Sequence, residues 1–121
     1  MGHLALADPK RGEVWTVALD PTLGAEIKKT RPVVVVNSDG IGTLPLRIIV
    51  PITEWSAGFQ NNLWHIKLAP DSANGLTKIS SADVLQLRSV STKRFTSKLG
   101  LLTVAQLEEI AIAIGVVVEI P

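Results

Sequence analysis

The sequence contains no cysteine and no tyrosine, and only two histidines, His3 and His65, among its 121 residues. Without cysteine the chain has no disulfide framework, no thiolate zinc or iron–sulfur site and no cysteine nucleophile. Two histidines are too few for a three-histidine metal site or an HExxH helix on one chain. Thiol chemistry and these common zinc sites are therefore excluded, and we expect neither a metal nor any other cofactor.

Long hydrophobic runs and a strong excess of one charge are also absent. No stretch of about 18 uninterrupted apolar residues occurs, which predicts no membrane span. The first nine residues lack the basic region of a signal peptide, so we expect a cytoplasmic protein. The net charge is only +1, but residues 1–100 hold 12 basic and 8 acidic residues, a net of +4. This mild basic bias is compatible with a polyanionic partner.

The chain does contain enough apolar residues for one packed domain. Hydrophobic residues make up 46% of the sequence and charged residues 19%, which is typical of a globular protein and not of a disordered one. The length of 121 residues fits a single domain. We predict a flexible N-terminal arm over residues 1–10 and one domain over residues 11–121.

Short strands are predicted along most of the chain. Alternating apolar residues and β-branched runs predict strands over residues 13–19, 33–36, 46–53, 63–68 and 81–90. The run 33–36 is apolar without alternation, which is typical of a strand buried on both faces. Pro51 lies inside the third strand, so the end of that strand is expected at a sheet edge or a bulge. Residues 91–100 are interpreted as a basic connection with one turn of helix.

A helix is predicted near the C-terminus. Thr103, with Gln106 three residues later, forms a capping box at its start. Gly115 is expected to end the helix in a left-handed cap, and residues 116–120 are either a terminal strand or a helix extension. Several short strands followed by one helix predict a mainly β or α+β fold, an antiparallel barrel or curled sheet closed by the helix.

Several segments from residue 11 onward resemble a known family, in the same order and at similar spacings. These segments are RGEVW at 11–15, LDPT at 19–22, GAE at 24–26, RPV at 31–33, VPIT at 50–53, Gly75–Leu76 with Lys78, and 84–95. Together they resemble the MazF/PemK toxins. The resemblance covers nearly the whole predicted domain.

The resemblance implies a small SH3-like antiparallel β-barrel with a C-terminal helix, and a homodimer. It also implies a metal-independent endoribonuclease that cuts single-stranded RNA. In such a reaction the neighbouring 2′-hydroxyl attacks the phosphorus, which leaves a 2′,3′-cyclic phosphate and a free 5′-hydroxyl. A cognate MazE-like antitoxin is implied as partner, with a disordered acidic tail that folds across the basic groove of the toxin.

Arg31 and Thr53 occupy the positions that match the catalytic arginine and threonine of the family. A guanidinium donates two parallel charge-assisted hydrogen bonds to phosphate oxygens, and a threonine hydroxyl can donate to the same phosphate. Taken without the resemblance, an arginine beside two lysines is typical of a solvated loop, and a threonine is an ordinary strand residue. The assignment of a catalytic pair therefore depends on the resemblance.

Six further residues are candidate RNA contacts: Glu26, Lys28, Lys29, Trp55, Gln86 and Arg88. The two lysines would follow the phosphate backbone, and Trp55 would stack an unpaired base, with core or dimer packing as an equal interpretation. Glu26 can orient Arg31 or contact a base edge. Gln86 and Arg88 either reach the RNA or line the dimer interface.

The remaining candidate residues receive structural interpretations. His65 matches no catalytic position that the resemblance supplies and is expected on the surface. Trp15 and Trp64 are expected in the core.

The alternative function is a non-enzymatic toxin of the same fold, such as a gyrase poison of the CcdB kind, or a catalytically decayed relative. The presence of both Arg31 and Thr53 favours the nuclease. An SH3-like peptide binder is disfavoured because the aromatic content is only 4%.

Overall fold

The computed structural model describes residues 7–121. Within these residues the strands and the α-helix are β1 Glu13–Ala18, β2 Thr30–Val35, β3 Leu46–Glu54, β4 His65–Leu68, β5 Ser80–Asp83, β6 Arg88–Ser91, β7 Phe95–Leu101 and α1 Val104–Val117. The predicted mainly β fold with a C-terminal helix is confirmed. Over residues 7–121, no helix has the length and apolar character needed to cross a bilayer.

The strands form one antiparallel sheet in the order β4-β5-β3-β2-β1-β7, and β6 pairs with β3 as well. β4 and β7 stand at the two ends of this order and do not pair with each other in the described part of the chain. The predicted antiparallel sheet is therefore confirmed, whereas the expected closure into a hydrogen-bonded barrel is not observed.

β2 lies between two hydrophobic clusters, which confirms that it is buried on both faces. Val33 and Val35 pack in one cluster with β-strand neighbours such as Ile49, while Val34 packs in the other cluster beneath α1 residues such as Ile110. The three valines have no exposed surface. This explains the unbroken β-branched run, because neither face of the strand meets water.

β3 is a central strand, although it contains Pro51. On one side Pro51 is opposite Val33 of β2. On the other side β3 pairs with β6 up to Ile49 and with β5 from Ile52 onward. Pro51 lies in the gap between those two partners, where its missing N–H leaves no ladder bond unmade. Of the two predicted positions, an edge or a bulge, the sheet edge is therefore wrong, because the proline marks a change of partner within a central strand.

The stretch from residue 81 to residue 101 differs from its prediction. The single strand expected over 81–90 is two strands, β5 and β6, separated by a 3-10 turn at Val84–Gln86. The chain must turn here because β5 and β6 pair with successive parts of β3. The helical turn expected over 91–100 is confined to a 3-10 turn at Thr92–Arg94, and the rest is β7, paired with β1.

Local signals define the start of α1 but not its end. The Thr103 hydroxyl accepts from the Gln106 N–H at 3.1 Å and the Gln106 side chain accepts from the Thr103 N–H at 2.9 Å, which confirms the capping box. The helix continues through Gly115, so the predicted cap at Gly115 is wrong. The left-handed residue is instead Glu119 (φ 57°). A Schellman motif closes the helix, with the Ile120 N–H bonded to the Gly115 carbonyl at 2.8 Å.

Residues 7–10 of the predicted arm are tied to the domain. The Arg47 side chain is buried, donates to the Pro9 carbonyl at 2.8 Å and pairs with the Asp8 carboxylate at 3.0 Å. Ala7 packs against the cluster that contains Val33. The part of the arm that precedes Ala7 lies outside the described residues.

The β4–β5 loop docks on β7 through backbone atoms. A Cβ on Gly100 would lie 2.1 Å from the Ala73 carbonyl oxygen, and a Cβ on Gly75 would lie 2.3 Å from the Leu99 carbonyl oxygen. Two glycines are therefore needed for the loop to approach the strand this closely. The Leu101 N–H completes the contact by donating to the Ala73 carbonyl at 2.9 Å.

Asn74 fixes the shape of the same loop. Its side chain is fully buried and bridges both ends of the turn. The carbonyl oxygen accepts from the Leu76 N–H at 3.0 Å, and the amide donates to the Ala69 carbonyl at 2.9 Å. The shape of the loop is thus fixed by the hydrogen bonds of Asn74, and its position on β7 is fixed by the close contacts at the two glycines.

We predict that Gly100→Ala lowers the free energy of unfolding by about 1–3 kcal/mol, because the added methyl group forces the β4–β5 loop away from β7. The matched control is Gly115→Ala in α1, where the nearest atom to a new Cβ is 3.7 Å away. That change is expected to raise stability by about 0.5–1 kcal/mol through helix propensity. Urea denaturation measures both, and equal stabilities of the two variants would contradict the proposed contact.

Glu13 joins β1 to β7 through a partly buried carboxylate. Burial raises the pKa of this carboxyl, but hydrogen bonds from Lys98, the Lys10 N–H and the Trp15 indole outweigh it, so the pKa lies below the ordinary value of 4.5. The ion pair with the Lys98 ammonium measures 2.8 Å. The carboxylate is thus stabilised in its charged form, and its contribution to folding is present above pH 4.5 and is lost as the pH falls through the lowered pKa.

We predict that Lys98→Met raises the pKa of Glu13 and makes the pH dependence of stability shallower below pH 4.5. The physical reason is that the charged carboxylate loses its ammonium partner while its burial remains. Carboxyl-carbon NMR titration of Glu13 measures the shift. An unchanged titration midpoint in the variant would show that the ion pair does not stabilise the charged form.

Candidate active-site cleft

Arg31 and Thr53 line one cleft of about 380 Å³ at the boundary of β2 and β3. The β2–β3 ladder ends at the pair Val33–Pro51, and Arg31 and Thr53 each lie two residues beyond that pair on these neighbouring strands. Arg31 is exposed and Thr53 is half-buried. A guanidinium and a hydroxyl are thereby brought to one site by strand pairing, although 22 positions separate them in the sequence.

The opposite wall of the cleft is the β4–β5 loop and the adjoining part of β7. Its residues are Gly75, Leu76, Thr77, Lys78 and Leu99. The wall is held in place by the glycine contacts and the Asn74 hydrogen bonds described above. The position of the loop within this wall is therefore determined mainly by backbone packing.

Lys78 adds a second positive charge at the cleft. Its ammonium is 3.9 Å from the Glu54 carboxylate, and both side chains are more than two-thirds exposed, at 68% and 71%. Such an exposed pair is weak, so the ammonium can exchange its partner for a phosphate. Sequence analysis included Lys78 only as part of a family motif and did not propose it as a site residue.

The loop before β2 directs Arg31. The Arg31 Nε donates to the Lys28 carbonyl at 3.2 Å, which leaves the two terminal nitrogens of the guanidinium to face the solvent or a ligand. The backbone of Lys29 is left-handed (φ 68°) and its carbonyl accepts from the Leu19 N–H at 2.9 Å. Both lysine side chains are exposed. The predicted basic group is thus present, as a loop leading into the cleft.

Glu26, Gln86 and Arg88 line a neighbouring cavity of about 470 Å³ on the β1–β2 loop. The Glu26 carboxylate accepts from the Leu23 N–H within its own loop. Arg88 donates to the Leu19 carbonyl at 3.3 Å. These three candidates therefore lie together in one cavity, and this cavity is separate from the cleft that Arg31 and Thr53 line.

Gln86 connects the β1–β2 loop to the turn after β5. Its side-chain oxygen accepts from the Ile27 N–H at 2.6 Å, and its amide donates to the Asp83 carboxylate at 3.1 Å. The other Asp83 oxygen is buried without a partner in the described residues. Gln86 thus stabilises the loop that carries Glu26, in addition to its predicted role in binding RNA.

Trp55 belongs to an aromatic cluster beside the cleft. Its ring meets Phe59 edge to face at 5.7 Å, and the Lys67 ammonium lies 5.2 Å from its centroid. Phe59 in turn stacks on His65, with ring centroids 3.6 Å apart. These contacts give the segment 55–62 a defined structure. The sequence had predicted only Trp55 in this segment, as a base-stacking candidate.

Two structural predictions about single side chains need correction. Trp64 is exposed at 36%, so its predicted place in the core is wrong, and Trp15 is half-buried against the cluster that contains Phe95. His65 is not a free surface residue, because it is half-buried between Phe59 and a buried hydroxyl, that of Ser81. The stack of Phe59 on the imidazole covers His65 and accounts for its reduced exposure.

No group of three histidine, aspartate or glutamate side chains that could hold a metal ion occurs within residues 7–121. The charged groups that line the cleft with Arg31 are Lys78 and Glu54. The cleft thus offers a guanidinium, an ammonium and hydroxyls, which are hydrogen-bond donors suited to an anionic ligand.

Comparison with known proteins identifies the family of this chain. The family model described as "PemK-like, MazF-like toxin of type II toxin-antitoxin system" matches residues 10–118. The endoribonuclease MazF9 of Mycobacterium tuberculosis is 32% identical over 110 residues, which cover 84% of this chain and 88% of that protein.

Solved structures of related toxins share the fold. A crystal structure of MazF from Deinococcus radiodurans has a TM-score of 0.75 at 20% identity, covering 93% of this chain and 97% of that chain. A mycobacterial endoribonuclease in complex with its cognate antitoxin has a TM-score of 0.73 at 17% identity, covering 94% and 98%. The family match spans nearly the whole described chain, and the chain therefore belongs to the PemK-like, MazF-like toxins of type II toxin-antitoxin systems.

Proposed function

We propose that this protein is a metal-independent endoribonuclease that cuts single-stranded RNA, with Arg31 and Thr53 as its catalytic pair. The observation that carries the proposal is that these two side chains line one cleft, since a phosphate group bound there would meet both. Family membership supports the reaction class, because the curated relative MazF9 is named an endoribonuclease. The gyrase-binding alternative receives no such support.

The chemistry follows from the groups in the cleft. The 2′-oxygen of the substrate attacks the adjacent phosphorus, the bond from phosphorus to the 5′-oxygen breaks, and the products end in a 2′,3′-cyclic phosphate and a 5′-hydroxyl. One proton leaves the 2′-hydroxyl and one joins the departing oxygen. Arg31 stabilises the extra negative charge on the phosphate by bidentate hydrogen bonds, and Thr53 donates a further hydrogen bond to it.

The basic loop of Lys28 and Lys29 would guide the RNA backbone to the cleft. The neighbouring cavity of Glu26, Gln86 and Arg88 offers a place for an unpaired base, since amide and charged groups read base edges. Trp55 is proposed to contribute apolar surface beside this path, as a base-stacking residue or as packing for its own segment.

We also propose that the protein acts in the cytoplasm as a homodimer and is restrained by a cognate antitoxin. Solved relatives with this fold include an endoribonuclease in complex with its cognate antitoxin. An acidic, disordered antitoxin tail is the partner that the basic loop and cleft favour, because it would compete with RNA for the same positive charges.

We predict that Arg31→Ala lowers the rate of RNA cleavage by roughly 10²–10³-fold, because the donors that stabilise the charged phosphate are lost. Arg31→Lys should recover little of this rate, since an ammonium lacks the planar fork. Thr53→Val, which removes the hydroxyl at constant shape, should lower the rate about tenfold or more. Single-turnover cleavage of a labelled RNA in the presence of EDTA measures all three.

The matched control is Thr43→Val, an exposed threonine that lies outside the cleft and should cut at the parental rate. Thermal denaturation of each variant verifies folding. Product ends are tested by labelling the 5′-hydroxyl with a kinase without prior phosphatase treatment. Parental rates in both Arg31→Ala and Thr53→Val would disprove this catalytic pair, and loss of activity in EDTA would disprove a metal-independent reaction.

A further inference from the structure

Ser81, in the middle of β5, is fully buried and stands directly opposite Thr53 in the β3–β5 pairing. Residues paired in this way project their side chains from the same face of the sheet, with Cβ atoms about 5 Å apart. The Ser81 hydroxyl is therefore a cross-strand neighbour of the Thr53 side chain. No hydrogen bond joins these two hydroxyls in the described residues, so the Ser81 hydroxyl keeps its capacity to donate one.

His65 of β4 holds Ser81 from the other side. The His65 Nδ1 is 2.9 Å from the Ser81 Oγ, an ordinary hydrogen-bond distance, at a buried serine and a half-buried histidine. The imidazole is parallel to the Phe59 ring within 4° and stacks on it at 3.6 Å. The hydrogen bond at Nδ1 restricts the imidazole within its ring plane, and the stack on Phe59 restricts it perpendicular to that plane.

The charged neighbours of His65 make no hydrogen bond to the Ser81 hydroxyl in the described residues, although Asp83 keeps a buried Oδ1 without a partner. Lys67 is paired with Ser81 across β4 and β5, but its ammonium lies over the Trp55 ring, 5.2 Å from the centroid. Asp83 is paired with His65, and its Oδ2 accepts from the Gln86 amide at 3.1 Å. The side-chain hydrogen bond to the Ser81 hydroxyl is thus made by His65.

We propose that His65, acting through Ser81, is a positioning residue for Thr53 in the RNA cleavage put forward above, on which this inference rests. With Nδ1–H as donor, the Ser81 oxygen accepts from His65, and the Ser81 O–H remains available to donate to the Thr53 oxygen across the β3–β5 pair when the phosphate is bound. The Thr53 O–H is then directed to the substrate phosphate. Each bond polarises the next, and no proton is transferred along the chain.

A pair of substitutions separates the hydrogen bond from the stack. His65→Phe keeps an aromatic ring against Phe59 and removes the nitrogen that contacts Ser81. His65→Asn removes the ring and places an amide at about the position of Nδ1, so that it can still donate to Ser81. A positioning role predicts a larger loss of activity in the first variant, whereas simple packing predicts a larger loss in the second.

We expect His65→Phe and Ser81→Ala each to lower kcat about tenfold, the equivalent of one net hydrogen bond, with KM changed less than twofold. His65→Asn should retain most of the parental kcat. On a Thr53→Val background neither His65→Phe nor Ser81→Ala should lower the rate further, because the group that they orient is gone. Steady-state and single-turnover cleavage of a labelled RNA provide these values, with thermal denaturation to verify folding.

Parental kcat in His65→Phe would overturn the inference, as would a full, additive loss on the Thr53→Val background. A greater loss in His65→Asn than in His65→Phe would overturn it too, since it would show that the ring stack alone matters. A parent protein that does not cut RNA would disprove the proposed function instead. In that case ¹⁵N NMR of the imidazole still tests the hydrogen-bond chain. The chain requires a proton on Nδ1 of His65, so a neutral tautomer protonated only at Nε2 would overturn the inference.

Discussion

The pairing register of β2 and β3 is the constraint on which the candidate site depends. With Val33 opposite Pro51, the guanidinium of Arg31 and the hydroxyl of Thr53 reach one cleft. A slip of one residue would turn one of the two side chains to the other face of the sheet. Such a slip is prevented by burial, because the valines of β2 contribute to a different hydrophobic cluster on each face and both clusters would be disrupted.

Much of the fold could be predicted from the sequence where the determining interactions are local. The capping box of α1 lies within four residues, and the two-sided burial of β2 follows from an unbroken run of valines. The division of 81–90 into β5 and β6 could not be predicted, since it depends on β3, a distant strand that pairs with both. The same nonlocal pairing explains why Pro51 is tolerated in a central strand.

The candidate site was predictable only through family resemblance. Neither Arg31 nor Thr53 carries a local signal, because their proximity is created by strand register. The contact between His65 and Ser81 was not predictable for the same reason, and it requires in addition the fold of the segment that brings Phe59 onto the imidazole. His65 depends on both contacts, which is why sequence analysis placed it on the surface.

The contact between the β4–β5 loop and β7 has a consequence for how this site can diversify. Because Gly75 and Gly100 contact the facing chain through main-chain atoms, the docking of the loop on β7 does not depend on the side chains that the loop presents to the cleft. Thr77 and Lys78 can therefore be exchanged for residues of other size or polarity while the loop keeps its place on β7. The chemistry that this wall presents to the cleft can accordingly change at these two positions without rebuilding the scaffold.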